Sequence, residues 1–431
     1  MGFDDLESGG AEVGMAAAVA EPAITLVESS VIETVDQILN DAVEANASDI
    51  HLEPQKDRLR VRFRQDGVLV DHRELPVDMA GALTNRMKVL AKADITERRR
   101  HQDGRIVFDY KGTAIDLRIS TYISIHGETV VLRLLNPRSQ LLEMKHLGME
   151  PRMLRRFIED SLDAPSGVVI ITGPAGAGKT TTLYSAVNYL NNPHTSIITA
   201  EDPVEYVVDG ISQCSINTRI GRTYEDTLKH IVRQDPDVIV IGEIRDLFSA
   251  ETAIQAALTG HKVLTTLHTE DSIGGLVRLL NMHIEAFLIS STVISVLAQR
   301  LVRLVCPHCA EDQNLTPHQV GRLGYEPKDY PELSFKHARG CDRCRFTGYK
   351  GRVGVFELLV LNEAVKDAVV AQKSSYDIRR MSIETTGLIT LLEDAIQKGL
   401  QGLTSFDEIM RHIPRLGKPR PINEIRRLLE N

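Results

Sequence analysis

A glycine-rich segment near the middle of the chain follows an apolar run of strand-forming residues. Residues 167–182 read GVVIITGPAGAGKTTT, which matches the pattern G-x-x-x-x-G-K-[ST]. Such glycines let the backbone wrap a polyphosphate, the lysine supplies charge to the β- and γ-phosphates, and the hydroxyl that follows is a Mg²⁺ ligand. The segment therefore predicts a site for a nucleoside triphosphate such as ATP. The residues assigned to it are Gly173, Pro174, Ala175, Gly176, Ala177, Gly178, Lys179, Thr180 and Thr181, with Thr180 also assigned to Mg²⁺.

A carboxylate stands just past a second apolar run, in the segment DPDVIVIGEIRD. We predict a buried strand over Val238–Ile241, which places Glu243 at the carboxyl end of the sheet, where α/β proteins bind their ligands. A carboxylate there can orient and deprotonate the water that attacks a γ-phosphate. Gly242 stands where a general Walker B motif has aspartate, and Asp237 lies about 20 Å away at roughly 3.3 Å per strand residue. The Mg²⁺ must therefore rely on Thr180, the nucleotide, water and some other carboxylate.

Two further polar segments follow predicted strands. TAEDPVEY carries Glu201, Asp202 and Glu205, and LTGHKVLTTLHTED carries His268 at the end of a strand. Each has an ordinary structural alternative, because acids often cap helices or lie in solvated turns, and a single histidine at a strand end is more often a hydrogen-bonded structural residue. At the carboxyl edge of the sheet, however, His268 could contact a γ-phosphate.

Four of the five cysteines form two C-x-x-C pairs. Cys306 and Cys309 make the first pair, and Cys341 and Cys344 make the second. Four soft thiolates suit tetrahedral Zn²⁺, and a closed set of four ligands leaves no open position for catalysis. We therefore predict a structural Zn²⁺ site; the alternative is a set of free or redox-active thiols.

The order of predicted elements divides the chain into five segments. Residues 29–140 predict a smaller α+β domain, and residues 141–305 alternate apolar strands with helices, which predicts a mostly parallel sheet of the α/β class. The remaining segments are a flexible leader over residues 1–28, the cysteine module over 306–350, and a C-terminal helical segment over 351–431.

Composition restricts the classes of partner. A net charge of -9 and an aromatic content of 5% argue against a dedicated nucleic-acid binder, although a local basic channel in an oligomer stays compatible with them. No apolar run reaches the length of a membrane-spanning helix, and the N-terminus is acidic where a signal peptide is basic. We predict a cytoplasmic protein whose membrane contact goes through partners.

Together the motifs resemble the secretion ATPase superfamily, specifically the type II secretion and type IV pilus assembly ATPases. The resemblance covers about residues 30–410 and rests on the phosphate loop, ASDIHLEP, VRFRQDG, EDPVEY, GEIRD, LTGHKVLTTLHT, LAQRLVR and the four cysteines. It implies a RecA-like P-loop ATPase domain preceded by a PAS-like domain, assembled as a homohexamer. It also implies that Glu243 is the catalytic base and that Glu201, Glu205 and His268 line the nucleotide site.

Three arginines lie on predicted strands that match the arginine-bearing segments of this family. They are Arg105, Arg118 and Arg133. The resemblance implies that they reach the phosphates from the N-terminal domain and supply positive charge in the transition state. The alternative is that they lie on a solvated sheet face.

The resemblance implies a motor that uses ATP hydrolysis to add pilin or pseudopilin subunits. Its expected partners are an inner-membrane platform protein and cytoplasmic docking proteins, which would hold it peripherally at the inner membrane. The tetracysteine module favours assembly over pilus retraction, because retraction ATPases generally lack it. The alternatives are a retraction ATPase and a RecA-like nucleic-acid translocase. Since only about 28 residues precede the core, either the chain is truncated or its docking differs.

Overall fold

The computed structural model describes residues 22–135 and 142–430. The chain divides into two compact units, and their boundary at residues 138–139 lies close to the predicted end of the first domain at residue 140. Within the described ranges, no helix combines the length and the apolar character that a membrane crossing requires.

The N-terminal unit is an α+β domain, as predicted. Its six strands form one antiparallel sheet in the order β3-β2-β1-β6-β5-β4. Helices α1 and α2 contribute Val35, Ile38, Leu83 and Met87 to the core that the inner face of this sheet covers. The elements are α1 (Pro22–Glu44), β1 (Ala47–Pro54), β2 (Arg58–Gln65), β3 (Val68–Pro76), α2 (Met79–Leu90), β4 (Gln102–Tyr110), β5 (Thr113–Ser124) and β6 (Gly127–Leu135).

The prediction of a flexible leader over residues 1–28 is wrong for its last seven residues. Residues 1–21 lie outside the described residues, whereas residues 22–28 are the first part of α1.

The second unit is built on a seven-stranded sheet in the order β15-β12-β7-β11-β10-β8-β9. All neighbouring strands are parallel except β12 and β15, which are antiparallel. The elements are α3 (Pro151–Phe157), β7 (Gly167–Thr172), α4 (Lys179–Leu190), β8 (Ile197–Glu201), β9 (Ser212–Ser215), α5 (Tyr224–Ile231), β10 (Val238–Ile241), α6 (Leu247–Leu258), β11 (Lys262–Leu267), α7 (Ser272–Asn281), α8 (Ala286–Thr292), β12 (Val293–Val305), β13 (Ala310–Asn314), α9 (Pro317–Arg322), β14 (Ser334–Ala338), β15 (Tyr349–Val360), α10 (Glu363–Val370), α11 (Ser375–Thr386), α12 (Leu391–Leu400), α13 (Phe406–His412) and α14 (Ile422–Glu430).

The apolar run of β7 is continuous because both faces of the sheet are covered. Val168 and Ile170 belong to one hydrophobic cluster, whereas Val169 and Ile171 belong to the cluster on the other face. Alternate side chains of a strand point to opposite faces, so a strand buried on both sides carries no polar alternation. The α/β class predicted for this unit is confirmed.

The cysteine module is an insertion between two paired strands of the main sheet. It follows β12 and contains α9 and the two-stranded sheet of β13 and β14 before β15 returns. The C-terminal helical segment predicted from residue 351 therefore begins later, at Glu363, because residues 351–360 complete β15. This strand pairs with β12 along its length, and β12 lies on the other side of the insertion in the sequence.

Candidate active site

The glycine-rich segment forms the turn between β7 and α4. Gly173, Gly176 and Gly178 have φ angles of 155°, 75° and 87°, a region that L-residues with side chains rarely adopt. A Cβ on Gly173 would lie 2.5 Å from the carbonyl oxygen of Gln299. Helix α4 begins at Lys179, so its free N–H groups face the loop and form an anion-binding terminus. The loop therefore has the backbone geometry that a phosphate requires.

The side chain of Lys179 is held by carbonyl groups of the phosphate loop. Its Nζ donates to the carbonyl oxygens of Gly173 at 2.8 Å and Pro174 at 3.1 Å. Burial lowers the pKa of Lys179 to about 8; the Glu243 carboxylate opposes this shift and the Arg300 guanidinium adds to it. The amine is thus a desolvated cation next to the loop.

Glu243 and His268 lie at the same edge of the sheet as the loop. Glu243 is the second residue after β10, and His268 directly follows β11. The Nε2 atom of His268 is 3.4 Å from Glu243 Oε2, and its Nδ1 atom is 3.3 Å from Lys179 Nζ. The imidazole therefore lies between the loop lysine and the predicted base, so the structure brings these three predicted residues together.

Arg245, within the GEIRD motif, is a residue of this site to which sequence spacing assigns no role. Its guanidinium contacts the Glu243 carboxylate, and its Nη1 donates to Asp202 Oδ2 at 3.2 Å. The hydrogen bond to Glu243 raises the pKa of Arg245 further above its usual value. Arg245 therefore orients the predicted base from the side opposite His268, and Asp202 holds Arg245 in turn.

The two predicted acids of the EDPVEY segment have different surroundings. Glu201, only 4% exposed, accepts hydrogen bonds from the Tyr184 hydroxyl, from Thr199 Oγ1 at 2.6 Å and from Gln213 Nε2 at 3.3 Å. Glu205 is exposed in the loop after β8. Glu201 thus connects β8 and β9 to helix α4 through Tyr184, and the nucleotide roles of both acids stay predictions.

The absence of aspartate at position 242 has a steric cause. A Cβ there would lie 2.9 Å from the Tyr224 hydroxyl oxygen and 3.2 Å from the carbonyl oxygen of Ala200. The Tyr224 hydroxyl donates to that carbonyl at 3.2 Å, and burial raises its pKa to about 12, so it stays neutral. Asp237 accepts from the Ser196 amide at 2.6 Å at the opposite end of β10. A side chain at position 242 therefore requires Tyr224 or the Ala200 peptide to shift.

The three predicted arginines lie in one row on the outer face of the N-terminal sheet. Arg105 is directly opposite Arg118, and Arg118 is directly opposite Arg133, across β4, β5 and β6. All three are exposed; Arg105 pairs with Asp116, and Arg133 Nε donates to Asp49 Oδ1 at 3.1 Å. Adjacent strands are about 4.8 Å apart, so the three arginines lie close together, and Asp116 and Asp49 offset part of their positive charge. Contact of these arginines with phosphate stays a prediction.

The four cysteines converge as their spacing predicts. Their Sγ atoms all lie within 4.8 Å of one another, and three of the separations are 4.0, 3.9 and 3.8 Å. Zn–S bonds of about 2.3 Å in a tetrahedron separate the sulfurs by about 3.8 Å. The Gly340 amide donates to Cys309 Sγ, and the Cys341 and Gly348 amides donate to Cys344 Sγ, at 3.1–3.3 Å. The donor set therefore fits a tetrahedral metal ion.

Introducing a side chain at position 242, where a general Walker B motif has aspartate, should destabilise the protein. We expect Gly242→Ala to lower the free energy of unfolding by about 1–3 kcal/mol, because the new Cβ overlaps the Tyr224 hydroxyl, and Gly242→Asp to lower it further. Denaturant unfolding measures both. Gly321→Ala, where nothing lies within 4 Å of the added Cβ, is the control and should not destabilise. Tyr224→Phe should restore part of the loss in Gly242→Ala; equal stability of Gly242→Ala and the parent would contradict the steric explanation.

Comparison with known proteins relates this chain to secretion and pilus proteins. The sequence profile of the family described as "Type II/IV secretion system protein" matches residues 26–411. Type II secretion system protein E of Pseudomonas aeruginosa is 43% identical over 384 residues, which cover 89% of this chain and 76% of that protein. Type IV pilus assembly ATPase PilB of Acinetobacter baylyi is 40% identical over 387 residues, covering 89% of this chain and 66% of that protein.

The fold has a counterpart among solved structures. The Legionella pneumophila ATPase DotB superposes with a TM-score of 0.62 at 21% identity, covering 92% of this chain and 98% of that one. The profile match, the identity to secretion and pilus proteins and the P-loop site agree: the chain belongs to the type II/IV secretion system protein family and is an ATPase of that family.

Proposed function

We propose that this protein hydrolyses ATP to drive the assembly of pilin or pseudopilin subunits in a type II secretion system or a type IV pilus. The observation that carries the proposal is the placement of His268 between Lys179 and Glu243 at the carboxyl edge of the sheet. Its relatives named for type II secretion and for type IV pilus assembly support the coupling to assembly.

The geometry supports a direct role for each side chain. Glu243, oriented by Arg245, accepts the proton of the water that attacks the γ-phosphate. Lys179 exchanges its two loop carbonyls for phosphate oxygens, which stabilise its charge better. His268 can donate to the γ-phosphate from Nδ1, the ring nitrogen that faces Lys179. The exposed hydroxyl of Thr180, in the first turn of α4, would hold Mg²⁺, which neutralises charge on the β- and γ-phosphates.

We further propose a structural Zn²⁺ held by Cys306, Cys309, Cys341 and Cys344. The cluster closes the insertion between β12 and β15, because Cys306 directly follows β12 and Cys344 lies five residues before β15. The same proposal includes a homohexamer in the cytoplasm, attached peripherally to the inner membrane through a platform protein and cytoplasmic docking proteins. Arg105, Arg118 and Arg133 remain candidate phosphate-binding residues.

Glu243→Gln should separate ATP binding from turnover. We expect kcat to fall at least about 100-fold, since an amide cannot accept the proton, while ATP binding is retained. Phosphate release and titration with a fluorescent ATP analogue measure the two quantities.

Glu251→Gln, an exposed residue of α6, serves as the control and should keep the parent kcat. Undiminished turnover of Glu243→Gln would remove Glu243 as the base. The same assay with added DNA or RNA should show no stimulation; strong stimulation would favour a nucleic-acid translocase instead.

Affinity for ATP should depend on pH through Lys179. Because burial lowers the pKa of Lys179 to about 8, its positive charge is present below that pH and is lost as pH rises through it. We expect affinity to be nearly constant below pH 8 and to fall by up to about tenfold per pH unit above it. Lys179→Arg keeps its charge over this range and should show a flatter profile. An equally flat profile for the parent protein would refute the assignment.

Metal analysis tests the cysteine cluster. We expect about one zinc ion per chain in the parent protein. Cys341→Ser should lose the ion and lower the melting temperature, because the insertion is no longer cross-linked. Cys214→Ser removes the cysteine outside the cluster and should retain the metal. A parent protein that contains no zinc would contradict the site.

A further inference from the structure

Strand β12 continues beyond β7 and passes beneath the phosphate loop. The last pair between these strands is Ala298 with Thr172, the residue just before the loop. The next two residues of β12, Gln299 and Arg300, are therefore adjacent to the loop rather than to the strand. Both are polar and both are buried, with Gln299 only 1% exposed.

Gln299 contacts the phosphate loop with both its side chain and its backbone. Its Nε2 atom donates to the carbonyl oxygen of Ala177 at 2.7 Å. A Cβ on Gly173 would lie 2.5 Å from the Gln299 carbonyl oxygen, and one on Gly178 would lie 3.1 Å from Gln299 Nε2. The beginning and the end of the loop are thus packed on one residue of a neighbouring strand.

Arg300 makes the corresponding contact with the loop that carries His268. Its Nη2 donates to the carbonyl oxygen of Glu270 at 2.8 Å, and its Nη1 donates to the Gln299 carbonyl oxygen at 3.2 Å. Consecutive strand residues point to opposite faces of a sheet. The two side chains therefore contact two different loops from the middle of β12, where β7 ends.

We propose that Gln299 is a positioning residue for ATP: it holds the phosphate loop in the conformation that presents its amides to the phosphates. The inference rests on the proposed nucleotide site. A loop ordered before binding does not lose conformational freedom when the ligand arrives, so its affinity is higher. The Oε1 atom of Gln299 has no hydrogen-bond partner among the described residues, so the bond from Nε2 alone orients the amide. Removing that donor should loosen the loop without touching the phosphate.

Gln299→Leu removes the donor at nearly constant volume. We expect its dissociation constant for ADP to rise about tenfold, the effect of one buried hydrogen bond. In ATP hydrolysis the KM should rise by a similar factor, with a smaller change in kcat. Titration with a fluorescent ADP analogue, steady-state kinetics and thermal melting measure the three quantities. If Gln299→Leu does not fold, Gln299→Met, which keeps the length of the side chain, is used in its place.

The chain contains a matched control. Gln397, on α12, is also buried, at 4% exposure, and its Oε1 atom is likewise without a partner among the described residues. Gln397→Leu should change the melting temperature but leave ADP affinity unchanged. Parent-like ADP affinity in a folded Gln299 variant would overturn the proposal. An equal loss in Gln397→Leu would also overturn it, since the effect would then be global. A parent protein that fails to bind ADP would instead refute the proposed nucleotide site.

Discussion

The arrangement of the site depends on the register between three parallel strands. Thr172 of β7 pairs with Leu267 of β11, and Ile241 of β10 pairs with Thr265 of β11. The chain segments that follow these residues therefore leave the sheet at one edge and carry the loop, Glu243 and His268 there. A slip of one residue would turn every side chain of a strand to the other face. Because both faces of β7 are packed, such a slip would bring each of its apolar side chains against the wrong hydrophobic cluster and displace the phosphate loop from Glu243 and His268.

Five side chains form a series of contacts at this edge. Asp202 contacts Arg245, Arg245 contacts Glu243, Glu243 contacts His268, and His268 contacts Lys179. Asp202, Arg245 and His268 are exposed to solvent, so these contacts orient the side chains more than they compensate buried charge. Lys179 is buried, and among the described residues its amine contacts two neutral carbonyl oxygens and the imidazole. A triphosphate brings negative charge next to the Lys179 amine. The amine therefore has a physical reason to exchange its carbonyl contacts for phosphate oxygens.

Local spacing was enough to predict the members of the candidate site, but not the residues that contact them. Lys179, Glu243 and the four cysteines follow from short motifs whose spacing is itself the signal. Arg245, Tyr224 and Gln299 act through partners that lie between 2 and 122 positions away along the chain. No periodicity indicates the pairs of Tyr224 and Gln299, because only the fold brings these residues to their partners. The same holds for β15, which the sequence pattern places in a helical segment: its partner strand lies before the whole cysteine insertion.

Strand β12 connects the phosphate loop to the cysteine cluster, but its segment near the loop and its segment near the cluster have different contacts. Gln299 and Cys306 are seven positions apart, about 23 Å of extended strand. Near the cluster, Arg303 pairs with Glu408, the Val305 amide donates to the Leu403 carbonyl oxygen at 3.0 Å, and Thr404 Oγ1 donates to the Arg303 carbonyl oxygen at 2.9 Å. These contacts with α13 and with the residues that precede it hold the strand independently of any metal. A loss of order in the insertion would therefore stop at about Val305 and leave Gln299 in place, so a metal held by the four cysteines would act on stability and not on the phosphate loop.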